Sequence, residues 1–402
     1  MKTLFLSTGL VLCTGLTFAQ QEQINDFRTT DEKSILEEVL KIENKTDKFN
    51  LFLNMHGDFE SSWTGSDFDG GKFRFQQLRV EAKGRINSWL SYRYRQRLNK
   101  GDDPNGYFDN VLQSIDIAGI GLNYKKWSAF LGKQCASYGG IEFDLNPIEI
   151  YQYSDMVDYM TNFMTGINIA YDFTPNQQLQ FQILDGLVGS SKGMYGNYTP
   201  AKLPMLYTLN WNGNFNDVYK TRWSASVMNE TKGKQMWYFA LGNDFNISDK
   251  VGMYFDWMYS LEGVDRKGII TDIVAPHGWD KKAQKTEIMS FILHVNYRFH
   301  PAWNLFAKGM YENEGVYKTN SMDVFNASGD QVGITLKEGK YRTALGYIGG
   351  VEYYPFKDRN LHFFATYVGR NYLYTAKAKS FGAEDYNTNA FQVGFIWQMP
   401  VF

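Results

Sequence analysis

The chain has 402 residues, among them 30 Phe, 27 Tyr, 10 Trp and 37 Gly, but only 9 Pro and 2 Cys. So few cysteines exclude a disulfide-based scaffold, and so many aromatic residues exclude a disordered or collagen-like chain. A formal charge of −2 provides no basic field for nucleic acid. No stretch approaches the roughly 20 apolar residues of a membrane-spanning helix. This composition predicts one large β architecture.

The first 19 residues have the pattern of a secretory signal peptide. Lys2 supplies the positive charge, and residues 4–16 form an apolar segment too short to span a membrane. Small residues then precede Gln20, which is the predicted first residue of the mature chain. We therefore predict residues 1–19 to be an export signal that is removed.

Residues 20–48 contain the one clear helical signal and are predicted to form a short periplasmic segment. Ser34-Ile35-Leu36-Glu37 spells a capping box, and Val39 and Ile42 continue an apolar face. Two heptads are too few for a stable isolated coiled coil. Either the segment is a short helix at the mouth of the domain over residues 49–402, or it associates with copies of itself.

From residue 49 onward, apolar and polar residues alternate. The last segment is the clearest case, because one face carries Phe391, Val393, Phe395, Trp397 and Met399 and the other carries Gln392, Gly394 and Gln398. Strict alternation predicts strands with one apolar and one polar face. A soluble sandwich would bury the apolar faces, whereas a membrane barrel would turn them towards lipid and line its lumen with the polar faces.

Sixteen such segments are predicted, an even number, each near the length of about 9–11 residues that a tilted strand needs to cross a bilayer. They cover residues 49–60, 73–83, 89–98, 111–124, 127–134, 163–173, 178–185, 204–213, 220–229, 235–246, 250–260, 288–299, 303–312, 341–354, 361–371 and 389–399.

The connections alternate between short and long. One set is short: 84–88, 125–126, 174–177, 214–219, 247–249, 300–302 and 355–360. The other is long, except for its fifth member: 61–72, 99–110, 135–162, 186–203, 230–234, 261–287, 313–340 and 372–388. Short turns at one end and long loops at the other are typical of outer-membrane barrels. The predicted fold is all-β, a 16-stranded antiparallel transmembrane β-barrel with a short N-terminal helix.

Several segments resemble the phosphate-selective porin O/P family of Gram-negative bacteria. Residues 73–84 and 89–93 resemble that family's first transmembrane hairpin, and shorter supporting pieces are Phe130-Leu131-Gly132-Lys133-Gln134, Asp185-Gly186 and Val351-Glu352-Tyr353-Tyr354-Pro355. The resemblance implies a homotrimeric outer-membrane porin whose lumen arginines, lysine cluster and loop tyrosines guide anions such as phosphate. Gln76-Gln77 stand where the family carries two arginines, so phosphate selectivity is left open.

The alternation also predicts which charged residues face the lumen. Arg93, Arg95 and Arg97 share one face, with about 6.6 Å between successive side chains, and form a column that an anion could follow. The predicted pore-lining or anion-binding residues are Arg79, Lys83, Arg93, Arg95, Arg97, Arg222, Arg298 and Lys308. The alternative is that these cations pair with lumen carboxylates and only brace the wall. Eleven basic against nine acidic inward positions, which include Arg342, Arg370, Asp256 and Glu312, leave both interpretations open.

The third long loop, residues 135–162, is predicted to fold inward and constrict the lumen. It carries acids and tyrosines but no Lys or Arg, and its candidate constriction residues are Glu142, Asp144, Tyr151, Tyr153 and Asp155. An acidic loop facing a basic wall would produce a transverse field in the pore. The alternative is a loop that only caps the rim.

The predicted function is passive diffusion of small hydrophilic solutes across a Gram-negative outer membrane, with a preference for anions or phosphate as the finer hypothesis. No cofactor, metal site or catalytic residue is predicted, because Cys135 is alone in the mature chain and the histidines show no HxH or HExxH spacing. A structural or adhesive barrel is one alternative. A barrel phospholipase is another, although Ser290 and His294 fall on the predicted lumen face.

Overall fold

A computed structural model describes residues 34–40, 46–100, 113–186, 191–356 and 359–402. Sixteen strands close into an antiparallel barrel, which confirms the predicted fold. The barrel strands are β1 Asn50–Thr64, β2 Asp67–Arg85, β3 Leu90–Arg97, β4 Ile115–Tyr124, β5 Trp127–Cys135, β6 Phe163–Thr174, β7 Gln177–Asp185, β8 Met205–Phe215, β9 Tyr219–Thr231, β10 Lys234–Ser248, β11 Val251–Val264, β12 Gln284–His300, β13 Trp303–Val316, β16 Gly339–Tyr353, β17 Leu361–Tyr374 and β18 Tyr386–Pro400. The predicted signal peptide lies outside the described residues.

Each barrel strand pairs with its neighbour in sequence, with one interruption. β13 pairs directly with β16, because β14 Asn320–Phe325 and β15 Gln331–Leu336 form a separate hairpin between them. The sequence pattern predicted only a loop over residues 313–340. Pairing of β1 with β18 closes the barrel, with Phe52 opposite Pro400.

The prediction of a long first loop over residues 61–72 is wrong. β1 and β2 stay paired up to Thr64 and Asp67, and a tight turn at Gly65 joins them. Gly65 has φ +61°, a conformation that glycine adopts without steric cost. The glycines and polar residues that indicated a loop therefore lie in a hairpin that continues the strands.

The alternation of side chains is as predicted on the outer face. Phe391 and Val393 on β18 are 45% and 47% exposed, whereas Gln392 between them is 3% exposed. Tryptophans are exposed near strand ends, for example Trp127 and Trp303. The outer surface is therefore the apolar, aromatic-edged belt that a bilayer-embedded barrel requires.

The inner face is less polar than predicted. Tyr238, Met258, Ile292 and Met310 point inward from β10 to β13 and are buried in one apolar cluster. Loop residues fill this side of the lumen, with Ile148 and Met156 from the third long loop in the same cluster. The apolar wall therefore has a packing partner inside the barrel, which strand periodicity alone does not show.

The described helices are short: α1 Ile35–Leu40, a 3-10 helix Pro147–Glu149, α2 Asp155–Asp158, α3 Ser191–Tyr195, α4 Ile269–Val274 and α5 Ala376–Lys379. None of these helices is long and apolar enough to cross a membrane. In α1, the Leu36 N–H donates to the Val401 carbonyl at 3.2 Å, so the predicted N-terminal helix lies at the barrel mouth beside the chain end. Ile42, also part of its predicted apolar face, lies outside the described residues.

Candidate pore constriction

The loop between β5 and β6, residues 136–162 and hereafter L3, folds into the lumen. Tyr138, Phe143, Met156 and Val157 are at most 6% exposed and pack against inward-facing wall residues. Its path passes close to β10, where a Cβ on Gly242 would lie 2.6 Å from Cα of Gly140. L3 is therefore a packed part of the barrel interior.

A buried carboxylate on β11 holds the first half of L3. Asp256 is fully buried and accepts the backbone N–H groups of Ile141 at 2.7 Å and Glu142 at 2.9 Å. Charge-assisted hydrogen bonds of this kind are stronger than neutral ones. The wall thereby fixes the backbone of the loop as well as its side chains.

Lys308 on β13 holds the middle of L3. Its ammonium pairs with the Glu142 carboxylate and donates to the Gln152 carbonyl at 2.8 Å. The other Glu142 oxygen accepts from the Ser154 hydroxyl at 3.0 Å. One predicted wall cation and one predicted constriction acid therefore neutralise each other.

A carboxylate and two arginines on the wall hold the second half of L3. Glu312 accepts the backbone N–H groups of Asp155 at 2.9 Å and Met156 at 3.0 Å. Arg342 and Arg370 both pair with the Asp155 carboxylate, and Arg370 also contacts Glu312 at 3.1 Å. Arg342 and Arg370 were predicted to face inward but were not among the candidate site residues.

The remaining candidate residues of L3 also have wall partners. Asp144 pairs with Arg222 on β9, whose Nη2 donates to Asp144 Oδ1 at 2.9 Å. The Tyr151 hydroxyl donates to Glu352 at 2.8 Å, and its ring stacks on Phe306 with centroids 4.9 Å apart. Every acid predicted for the constriction is thus paired, which reduces the predicted transverse field.

The two candidate tyrosines of L3, Tyr151 and Tyr153, are kept neutral. Burial raises the pKa of Tyr151 well above its usual value, and the Glu352 carboxylate raises it further. Burial also raises the pKa of Tyr153, while Arg79 and Arg95 oppose that shift. Tyr153 thus brings a neutral phenol close to the arginines of the opposite wall.

Those arginines form a compact cluster, here called the arginine wall: Arg79, Lys83, Arg93, Arg95 and Arg97 with the carboxylates Glu81 and Asp116. Arg93 pairs with Glu81 at 2.7 Å. Asp116 has three arginine partners, Arg79 at 3.4 Å, Arg95 at 3.5 Å and Arg97 at 2.9 Å. The structure thus brings together five of the eight predicted pore-lining cations.

Most of the arginine wall is covered. Arg79, Arg93 and Arg95 are 3%, 5% and 2% exposed, whereas the Arg97 side chain is 23% exposed. The prediction that all of these arginines line the open lumen is therefore wrong for the three buried ones, because the lumen contents cover them. Arg97 is the member most exposed to solvent.

Arg298, the last predicted cation, lies apart from the arginine wall on β12. Its guanidinium lies 4.2 Å from the centroid of the Tyr354 ring and donates to the Pro301 carbonyl at 3.2 Å. Pro301 belongs to a short turn, so Arg298 lies at the end of the barrel that carries the short turns. Short turns mark the periplasmic end of outer-membrane barrels.

Sequence reasoning missed how L3 is held. Asp256 and Glu312 were counted as inward-facing charges, but not as acceptors for loop backbone. The sequence contains a signal for this role, because each carboxylate lies on a strand whose inner face also carries apolar residues. Met258 and Met310 are examples. A buried carboxylate among apolar neighbours needs donors. The loop backbone supplies them to Asp256, and the loop backbone together with Arg370 supplies them to Glu312.

A closed 16-stranded antiparallel barrel with an apolar outer belt, short turns at one end and a loop folded into its lumen is the architecture of an outer-membrane porin. The sequence matches the family of phosphate-selective porins O and P over residues 49–399, and the chain belongs to that family. It is therefore an outer-membrane porin for passive diffusion of small hydrophilic solutes.

Solved outer-membrane channels share the fold at low identity. The outer membrane channel DcaP of Acinetobacter baumannii is 15% identical with a TM-score of 0.57, over 87% of this chain and 96% of that chain. An anion-selective porin from Comamonas acidovorans is 9% identical with a TM-score of 0.55, over 87% and 99%. Salmonella typhi OmpF in complex with daunomycin is 14% identical with a TM-score of 0.54, over 89% and 99%. A search of curated proteins finds no significant match.

Proposed function

We propose that this porin passes small anions in preference to cations, and that the arginine wall sets this preference through its electric field. The supporting observation is a local imbalance of charge. Among the described residues, the wall has five cations and two carboxylates, a surplus of three positive charges. Charge inside a low-dielectric wall focuses its field into the adjacent lumen.

The geometry favours general anion preference over a dedicated phosphate site. Three arginines share the single carboxylate Asp116, and Arg79 and Arg95 are too buried to surround a passing ion. Arg79 reaches the Asp116 carboxylate only at 3.4 Å and shares it with Arg95 and Arg97, so the charge of Arg79 is incompletely compensated. An anion would experience this charge without forming a tight complex. The anion-selective porin from Comamonas acidovorans has the same fold.

The proposal is tested by two substitutions that act on the same ion pair with opposite sign. Arg97 and Asp116 lie 2.9 Å apart. Arg97→Gln removes the positive charge of this pair, and Asp116→Asn removes its negative charge. The reversal potential in a planar bilayer with a KCl gradient reports the relative permeability of cations and anions. R97Q is expected to shift it in the direction of lower anion selectivity, and D116N in the direction of higher anion selectivity. Phosphate should reduce the chloride current only weakly and without saturation.

A purely structural role of the pair predicts a different pattern. Both variants would then shift the reversal potential in the same direction, or leave it unchanged. A saturable block by phosphate would instead indicate a dedicated site and would contradict preference by field alone.

We also propose that three copies associate through the outer face of the first hairpin. Phe73 and Phe75 on β2 are 86% and 51% exposed, so their rings have little cover from their own chain. OmpT of Vibrio cholerae, of similar fold with a TM-score of 0.50, has been solved in a trimer form. In light scattering of the detergent-solubilised protein, Phe73→Ala should lower the trimer fraction, whereas Phe181→Ala on β7 should not. Equal trimer fractions in both variants would exclude this interface.

A further inference from the structure

A second site with different chemistry lies at the turn end of the barrel. A cavity of about 480 Å³, hereafter the vestibule, opens between L3 and the inner faces of β10 to β13 and β16. Exposed turn residues Asp249 and Lys250 lie at its edge. Ligand pockets for small molecules are typically about 300–1,000 Å³.

One side of the vestibule is a column of stacked rings. Tyr254 stacks on His294 with centroids 4.9 Å apart and an 11° interplanar angle, and His294 stacks on Phe306 at 5.9 Å. Phe306 in turn stacks on Tyr151 of L3 at 4.9 Å and 6°. Because three strands and the loop each contribute one ring, the column is a rigid apolar surface.

The other side is a ring of amides and a shared carboxylate. Asn304 donates to Asn296 at 3.1 Å and to Glu352 at 2.8 Å. Glu352 also accepts from the hydroxyls of Tyr151 at 2.8 Å and Tyr354 at 3.0 Å. These groups hold one another in fixed positions, so they can present preorganised donors and acceptors to a ligand.

The charges of the vestibule nearly cancel, unlike those of the arginine wall. Three cations line it, Lys250, Arg298 and Lys308, together with four carboxylates, Glu149, Asp244, Asp249 and Glu352. This balance gives no electrostatic gain to a simple anion. An apolar ligand would displace water from these amides and carboxylates and offer no hydrogen bond in return, which costs free energy.

We propose that the vestibule binds a neutral sugar of one or two rings. The C–H face of a sugar ring packs against aromatic surface, and its hydroxyls both donate to carboxylates and accept from amides. The vestibule offers both kinds of surface across one cavity of suitable size. This site is separate from the arginine wall, so the porin would carry an anion preference and a sugar subsite on different parts of its lumen.

The test uses maltose as the probe in planar bilayers. Maltose added at the periplasmic end should reduce wild-type conductance with a saturable dependence on concentration. Phe306→Ala and His294→Ala each remove a ring of the column and should weaken maltose binding. The half-saturating maltose concentration should therefore rise at least fivefold in both variants. Phe130→Ala is the matched control, because Phe130 is a buried inward-facing ring on β5, outside the vestibule lining. Heat-modifiable migration checks that each variant is folded. If F306A does not fold, the maltose effect in H294A provides the test.

Three results would overturn the proposal. The first is a maltose effect that is linear in concentration and equal in all variants, as expected of viscosity alone. The second is a half-saturating concentration that stays at the wild-type value in the folded variants F306A and H294A. The third is a loss of the maltose effect in F130A as large as in those two variants. Reversal potentials recorded on the same channels separate this test from the anion proposal. The R97Q variant should lose anion preference while keeping the maltose effect.

Discussion

The Asp256 carboxylate on β11 accepts the backbone N–H of Glu142 in L3 at 2.9 Å, from a position in the wall that is fully buried. The same carboxylate accepts the Ile141 N–H at 2.7 Å. Glu312 on β13 repeats this arrangement for the N–H groups of Asp155 and Met156. The loop that folds into the lumen is therefore held at two points by wall carboxylates that bind its backbone.

Asp256→Ala should loosen L3. Two N–H groups of L3 would lose their acceptor, and a buried unsatisfied donor such as the Glu142 N–H costs about 1–3 kcal/mol. We expect a lower unfolding temperature and greater current noise in single-channel recordings. Asp330→Ala, at the exposed turn between β14 and β15, is the matched control and should change neither quantity. Wild-type noise and stability in D256A would show that the side-chain ion pairs alone hold the loop.

Gly242→Ala should displace L3 by a steric effect. The added Cβ would lie 2.6 Å from Cα of Gly140, and Gly140 cannot easily move because its φ is +84° and its N–H donates to the Arg222 carbonyl. Limited proteolysis should cleave L3 faster in this variant. Gly309→Ala on β13 is the control, since its Cβ would meet no atom within 4 Å. Equal cleavage rates in G242A and wild type would contradict tight packing at this crossing.

Ile167→Arg should destabilise the barrel in the membrane. Ile167 lies in the middle of β6 and is 46% exposed on the outer face. Arginine on the lipid face costs about 2–4 kcal/mol near the bilayer midplane and less near an interface. Refolding titrations into lipid vesicles measure this cost, with Ile167→Val as the apolar control. A cost equal to that of valine would mean that this face does not contact lipid.

The loop after β11 should become less protected as pH rises. Burial, and then neighbouring Glu262, raise the pKa of Asp265 from 3.8 to about 6. Folding therefore favours the protonated form, so its stabilising effect is complete below about pH 4 and is lost as pH rises through 6. Hydrogen exchange at Thr271, whose N–H donates to Asp265 at 2.6 Å, should show protection factors that fall from pH 4.5 to pH 7.

Asp265→Asn is the control for this pH dependence. It keeps one side-chain acceptor but cannot titrate, so protection at Thr271 should vary less with pH than in wild type. The same slope in both proteins would assign the pH dependence to another group.

The sequence alone determined the barrel and its orientation of side chains. Alternation with a period of two is a local property of each strand. Few folds other than a membrane barrel accommodate sixteen strands that each have one apolar face. The outward Phe391 and Val393 and the inward Gln392 follow from it directly. The β1–β2 hairpin could not be predicted in the same way, because Gly and Ser residues indicate loops locally, while pairing across β1 and β2 extends the strands.

Only the tertiary structure decided what fills the lumen. Asp155 and Arg370 are 215 positions apart, and no local pattern predicts that they pair. Nor could alternation predict that Met258 and Met310 pack in one cluster with apolar loop side chains such as Ile148 and Met156, inside a lumen expected to be polar. The inside of the barrel is formed by contacts between distant segments, whose energies depend on packing and mutual burial. Strand periodicity reports only which face a residue occupies, and the partner on that face is a property of the whole fold.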